Sequence, residues 1–298
     1  RPASTGHPAE GLYEVLMRTP VHIACLQTQP KANFEAALTE ALDLAAIAVE
    51  QGAQALFLPE YCGGLKTKGG MFAPPALPES SHPVLTGLRG FAKAHDVWIS
   101  VGSLAVPGSA GKVINRSLLL DRTGAVVSRY DKLHLFDIQL SDQEVYRESA
   151  RVTPGQHCIV SNVDWAVIGH SICYDLRFPN LYRDMAQAGA EVLIVPSAFT
   201  KKTGQAHWHV LNRARAIENG AFVVSACAVG TVEGGGEAYG HSLIINPWGE
   251  IVADAGAQRG VVHATIDLDD VAVARGKIPS LQHDRPYEKT PNLTEDAT

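Results

Sequence analysis

Cysteine is scarce and shows no paired spacing: five residues, Cys25, Cys62, Cys158, Cys173 and Cys227, make an odd set. A disulfide framework is not expected, and a reduced, cytosolic setting is. The sequence also lacks a long uncharged apolar run and a recognisable secretory signal, so no membrane span or membrane partner is expected. Basic residues are the minority, 25 Lys and Arg against 31 Asp and Glu for a net charge of −6, and they are scattered. That argues against a nucleic-acid groove and leaves small molecules as the expected partners. No low-complexity linker interrupts the 298 residues, which suit one large α/β domain over residues 17–298. Residues 1–16 have no clear hydrophobic period and read as an N-terminal extension or leader.

What is present is a repeated alternation of strands and helices. Val21 to Leu26 is strand-like, and Asn33 then caps a helix in which Phe34, Ala37, Leu38, Ala41, Leu42, Ala45 and Val49 recur at helical spacing. Ala55 to Glu60 follows as a buried strand. The same order returns in Val167 to Cys173, a helix over Leu181 to Ala188, and Val192 to Ser197. This favours a mixed, largely parallel sheet covered by helices. A second regularity points to duplication. Ser117 and Gly124 stand 125 residues before Ser242 and Gly249, in two hairpin-like segments of similar pattern. The fold expected is α/β, two α-plus-β halves related by an internal pseudo-two-fold repeat, with their sheets stacked as an α-β-β-α sandwich and loops at one end for chemistry.

Cys173 is the residue most suited to chemistry. It ends the apolar run from Asp164 and precedes the polar segment Tyr174 to Pro179 and a helix, so it stands at a strand-to-helix corner where backbone N–H groups face a developing negative charge. Cys25, Cys158 and Cys227 lie in or beside apolar runs and read as small hydrophobes. Cys62, in the loop Glu60 to Gly64, is a candidate for the same pocket as Cys173. Glu60, at the end of a buried strand, is placed to be a base. Lys132, just past the first hairpin, and Glu148, sixteen residues further on, complete the set of groups a thiol nucleophile needs.

Leu58-Pro59-Glu60, Tyr130 to Leu135, Glu148-Ser149, and Gly169 to Pro179 resemble the motifs of the nitrilase or carbon–nitrogen hydrolase superfamily, in the family's order, and Gln205 to Glu218 fits as well. The resemblance runs from about Val21 to Tyr287 and is strongest to the Nit branch of ω-amidases and deaminated glutathione amidases. It implies an α-β-β-α sandwich, usually dimerised into eight layers, and a catalytic triad of Glu60, Lys132 and Cys173 with Glu148 as second glutamate. The Cys-Tyr-Asp sequence departs from the Cys-Trp-Glu usual in true nitrilases, which argues against nitrile substrates.

Ordinary pKa values near 8.5 for Cys and 4.3 for Glu leave about four units, roughly 5.7 kcal/mol, against direct proton transfer from thiol to carboxylate. The site has to close that gap by burial and by a cation, Lys132, which favours thiolate. The expected reaction is attack of Cys173 on a small linear amide, with Lys132 and the Tyr174 N–H stabilising the oxyanion, then hydrolysis of a thioester. Phe199 and Thr200 are candidates for the acyl pocket, and Asp175 and Arg177 are expected to brace the corner as an ion pair. No cofactor and no metal is called for, since His207 and His209, two apart on a helix, do not share a face. Ser171 lacks the closing glycine of a nucleophile elbow, and Gly234-Gly235-Gly236 reads as a mobile loop near the cleft. The rival readings are a nitrile or N-carbamoyl substrate, acyl transfer to an amine, and an inactive oligomeric scaffold.

Overall fold

The computed structural model describes residues 18–68, 71–142 and 144–288. The expected leader over residues 1–16 lies outside them. Two six-stranded mixed sheets form the centre. The first contains β1 (Val21–Gln27), β2 (Ala55–Phe57), β3 (Trp98–Pro107), β4 (Val113–Leu120) and β5 (Val126–Asp131). The second contains β6 (Val160–Asn162), β7 (Val167–His170), β8 (Val192–Ile194), β9 (Phe222–Ser225), β10 (Leu243–Ile245) and β11 (Ile251–Asp254). The last strand, β12 (Gly260–Ile266), returns to pair antiparallel with β1 at the edge of the first sheet.

The two sheets share one strand order and one pattern of strand directions. In the first, β1, β2 and β3 are parallel neighbours, β4 and β5 continue antiparallel, and β12 closes the other edge antiparallel. In the second, β7, β8 and β9 are parallel, β10 and β11 continue antiparallel, and β6 closes the edge antiparallel. The repeat read from the sequence is therefore a repeat of topology, and its hairpins share turn chemistry. The side chain of Asp121 accepts from the Thr123 amide and that of Asn246 from the Trp248 amide. Gly124 and Gly249 follow at φ of 77° and 85°, a conformation glycine adopts without steric cost.

Alternation along the strands sorts their side chains into two faces. Ile23, Cys25, Phe57 and Leu119 of the first sheet meet Ile168, Val192, Ile194, Val224 and Ile244 of the second, forming the central layer. Their neighbours Ala24, Leu26, Leu56 and Ile99 face outward onto α1 (Phe34–Glu50) and α2 (Pro83–His95). Leu193, Val195, Val223 and Leu243 do the same against α3 (Pro179–Gln187) and α4 (Lys201–Asn219). The layers run α-β-β-α. Asn33 caps α1 as its pattern indicates, its side chain accepting from the Ala36 amide at 2.9 Å. A short helix, α5 (Asp269–Lys277), follows β12. Among the described residues no helix is long and apolar enough to cross a membrane.

One close approach sets the position of the first site residue. At the break in the β3–β4 ladder between Val101 and Leu104, Gly102 lies against the turn that follows β2, and a Cβ there would run into the carbonyl oxygens of Leu58 and Pro59. Backbone cannot yield as a side chain does. Gly102→Ala is expected to cost about 3 kcal/mol in urea unfolding. Gly90→Ala, at a helical glycine whose added Cβ meets open space, is the control and is expected to be neutral or stabilising.

Candidate active site

Glu60 stands three residues beyond β2, where the chain leaves the sheet. The Leu58 amide donates to Ser100 O and the Tyr61 amide to Ser103 Oγ, so both flanks of Glu60 are bonded to β3. Its side chain is 3 % exposed. Oε1 accepts from Lys132 Nζ at 2.9 Å and from Asn115 Nδ2 at 2.8 Å, and Oε2 accepts from the Ala198 amide at 3.0 Å. Lys132 comes directly after β5 and is held at its backbone by Asn115 O and the Gly155 amide. Its ammonium also donates to Glu148, at 3.1 Å to Oε1 and 2.9 Å to Oε2. Glu148, at the end of the ribbon formed by Asp137–Ser141 and Glu144–Arg147, accepts in addition from Tyr61 Oη and the Phe136 amide. One buried cation thus joins two buried carboxylates.

Cys173 opens a turn of 3₁₀ helix, Cys173–Arg177. The strand-like run stops earlier than its apolar character suggests, at His170. Ser171 turns inward, its hydroxyl paired with Tyr182 Oη and donating to Ile194 O. Cys173 itself has φ 49°, a left-handed conformation that is strained for a residue with a Cβ, and its amide donates to Pro196 O. The strain is what a nucleophile at a sharp corner carries. Its thiol opens into the same pocket as Glu60 and Lys132.

Asp175 sets the corner against Lys132. The ion pair expected with Arg177 does not form. Asp175 Oδ2 accepts from Tyr130 Oη at 2.7 Å and from the Ile172 amide, while Oδ1 accepts from the His134 amide and faces His134 Nδ1 at 2.7 Å. Tyr130 and His134 flank Lys132 in sequence, so one buried carboxylate fixes the β5 end relative to the Cys173 turn. Arg177 instead lies beside His207 and over the rings of Tyr174 and Phe199, with its guanidinium 5.9 and 5.4 Å from their centroids. Among the described residues no carboxylate pairs with it.

A pocket brings the predicted residues together: Glu60, Lys132, Cys173, Tyr174, Phe199 and Thr200 all line it. Glu148 stands behind Lys132. Phe72, Phe136 and Thr203 also line the pocket and were not singled out from sequence, nor was Asn115, which bridges the two glutamates from β4. A second hollow shares Phe72, Ala198 and Thr200 with the first and is bounded by Gly234 to Gly236. That glycine loop borders the cleft as anticipated, but Thr67 ties it down through bonds to Glu233 O and Gly235 O.

The other cysteines separate clearly. Cys25 and Cys227 are fully buried. Cys158 is exposed, contrary to the reading from its apolar neighbours, because it lies in the irregular segment before β6. Cys62 does not line the Cys173 pocket. It faces a separate hollow with Thr28 and Lys31, bonds Ser103 O, and burial pushes its thiol up to about 12.

Burial and then the Glu60 charge raise the Cys173 thiol well above its ordinary value, against the opposing pull of Lys132. The cation does not lower the net value, as it alone would, because desolvation and the carboxylate outweigh it. Burial and the neighbouring carboxylate therefore favour the thiol over the thiolate in the resting pocket. For Lys132 burial opposes the charge, but Glu148 and then Glu60 more than compensate and hold the ammonium well above its usual range. It stays charged.

Fold and site together define an enzyme of the thiol-hydrolase class, built on a four-layer sandwich. The sequence matches the carbon–nitrogen hydrolase family model over residues 22–276. The chain belongs to that family, the nitrilase superfamily, within its Nit branch. It is 39 % identical over 272 residues to a deaminated glutathione amidase of Synechocystis sp., covering 89 % of this chain and 98 % of that one. To omega-amidase NIT2 of Homo sapiens it is 32 % identical over 267 residues, covering 90 % and 96 %. The C. elegans NitFhit crystal structure superposes with a TM-score of 0.82 at 31 % identity, over 91 % of this chain and 66 % of the other. A variant of the Nesterenkonia sp. AN1 amidase, with fluoroacetamide's acetamide moiety added covalently at its active-site cysteine, superposes with a TM-score of 0.72 at 25 % identity, over 89 % and 94 %.

Proposed function

We propose that this protein is an amidase that hydrolyses a short linear ω-amide bearing a distal carboxylate, of the α-keto acid ω-amide or deaminated glutathione type, to the acid and ammonia. The observation that carries this reading is the convergence of Glu60, Lys132 and Cys173 in one pocket, with Glu148 holding the lysine from behind. The relatives' names supply the amide class, and Arg177, beside the pocket rings and paired with no carboxylate among the described residues, supplies the carboxylate.

The reaction follows from the bonds described. As Cys173 Sγ attacks the amide carbon, its proton passes to the Glu60 carboxylate, which lines the same pocket. The oxyanion is stabilised by Lys132 Nζ and by the Tyr174 N–H, which lies in the first turn of its helix and so needs no helical acceptor. Glu60 returns the proton to the departing nitrogen, ammonia leaves, and a thioester remains. The same carboxylate then deprotonates water for attack on the thioester, and the thiol recovers a proton as the acid departs. Phe199, Thr200 and Tyr174 enclose the acyl chain. Glu148 keeps Lys132 charged and aimed.

The test is ammonia release from a panel of ω-amides, with intact-mass trapping of the acyl adduct and identification of the acid formed. An acyl adduct on Cys173 together with stoichiometric ammonia is expected. Release of an amine-transfer product, or turnover only of nitriles or N-carbamoyl compounds, would reject the reading. Arg177→Met provides the distal-group test. It is expected to raise KM for carboxylate-bearing ω-amides about 10- to 100-fold, the range of a lost charge-assisted bond, while leaving uncharged short amides within about 3-fold. Equal effects on both substrate types would remove Arg177 as the carboxylate receptor.

A further inference from the structure

Outside the pocket, three metal-ligating side chains from three elements meet at one point. His209 belongs to α4, His241 to the segment entering β10, and Asp254 ends β11. His209 Nε2 lies 3.1 Å from Asp254 Oδ2, and His241 Nδ1 lies 3.0 Å from Oδ1 and 3.2 Å from Oδ2. All the ligating atoms fall within 4.8 Å of one another. A tetrahedral ion with bonds of about 2.0–2.1 Å would separate its ligands by roughly 3.3 Å; the two His–Asp spacings need shifts of only a few tenths of an ångström, and the two imidazole nitrogens, no more than 4.8 Å apart, close on the ion by side-chain rotation. Their side chains are 26–32 % exposed, leaving one side open to solvent.

The surroundings hold these groups in place. His241 has φ 53°, a left-handed conformation uncommon for a residue with a Cβ, although histidine adopts it more readily than most. It is kept there by its amide donating to Gly256 O at 2.7 Å and by the Trp208 indole donating to its carbonyl at 2.7 Å. The Tyr239 ring stacks on the imidazole with centroids 4.6 Å apart. Asp254 Oδ1 accepts from the Gly256 amide at 2.8 Å, an outer bond of the kind that orients a ligating carboxylate. Burial opposes the charge on Asp254, yet the Gly256 amide and the two imidazoles hold its carboxyl below the usual range.

We propose that His209, His241 and Asp254 form a second site, for a divalent first-row transition ion of the zinc class, with water completing its coordination. Two imidazoles with one carboxylate favour such an ion over calcium or magnesium, which take mainly oxygen ligands. Binding moves each imidazole proton to the ring's other nitrogen and frees Nε2 of His209 and Nδ1 of His241 to coordinate; no redox step is involved. The ion would tie α4 to the β10–β11 hairpin. Trp208, which donates to His241 O, packs on the pocket residue Phe199 with ring centroids 4.9 Å apart, so the site lies one side chain from the pocket wall. His207, two residues from His209, takes no part and lies against Arg177.

The test uses the tag-free chain carrying Cys173→Ser, which removes the thiol as a competing zinc ligand. Titration with zinc chloride in a non-chelating buffer is expected to show one zinc per chain and a rise in Tm. His209→Gln, Asp254→Asn and His241→Asn, the last tolerant of positive φ, should each weaken binding by at least about 10-fold and remove the Tm rise. Metal-free melting of each variant separates lost ligation from lost folding, and a variant that melts as the parent decides the matter. Failure of the Cys173→Ser protein to take up zinc, or unchanged affinity in well-folded variants, would overturn the proposal.

Discussion

Replacing Cys173 with alanine is expected to abolish turnover, lowering kcat by at least about 10⁴-fold, the scale on which an enzyme loses its nucleophile. Neither neighbouring thiol can substitute. Cys62 opens to a different hollow and bonds a carbonyl, and Cys227 is fully buried, with burial pushing its thiol up to about 12. The alanine variant should keep its fold. It removes one sulfur from a pocket wall while the Lys132, Glu60 and Glu148 bonds remain, so its urea midpoint should stay close to that of the parent. Cys173→Ser should be almost as inactive, because the hydroxyl is a poorer nucleophile and Glu60 must remove a less acidic proton. Ammonia assays with intact-mass analysis check both variants. Undiminished release by either, or an acyl adduct formed on another residue, would remove Cys173 from the reaction and leave the rest of the pocket without a nucleophile.

The parts of this site legible in the sequence are those where local pattern and position coincide. The strands ending near Cys173 and before Glu60 are short apolar runs cut off by polar residues, and the echo of the two hairpins rests on turn residues at matching positions. The structure realises them as the ends of β7 and β2 and as the β4–β5 and β10–β11 turns. What was illegible depends on partners far along the chain. Asp175 and Arg177 look like a pair because they are close in sequence. In a 3₁₀ turn residues two apart point to different sides, and each finds a remote partner, Tyr130 and His134 for one and His207 for the other. Asn115 reads as an unremarked polar residue in a strand, although its amide bridges two glutamates. Phe72 and Phe136 come from short ribbons and loops that carry no period. Cys158 shows the opposite error, since apolar neighbours do not bury a residue in an irregular segment.

Lys132→Met separates what the lysine does for chemistry from what it does for the fold. In the folded protein the ammonium is 2 % exposed and lies between Glu60 and Glu148, each at 2.9 Å. Removing it leaves two buried carboxylates near one another without their cation, a change that costs about 3–5 kcal/mol when a buried ion pair loses one partner. The single variant is therefore expected to lose both stability and turnover, and a loss of activity alone would be ambiguous. Lys132→Met combined with Glu148→Gln resolves it. The oxygen of the neutral amide can still accept from the Phe136 amide while its NH2 donates to Tyr61 Oη, and the change removes one of the two orphaned charges, so roughly half the lost stability should return. Turnover should not return. Loss of the positive charge opposite the developing oxyanion costs at least about 10²- to 10³-fold in kcat, the effect of deleting a single oxyanion donor, and no other cation lines the pocket among the described residues. Urea unfolding and steady-state ammonia release measured on the same preparations read the two quantities. A double variant that regained turnover in step with stability would make Lys132 a brace between two glutamates and hand oxyanion stabilisation to the Tyr174 N–H alone; stability restored with turnover still absent places the charge of Lys132 in the chemical step.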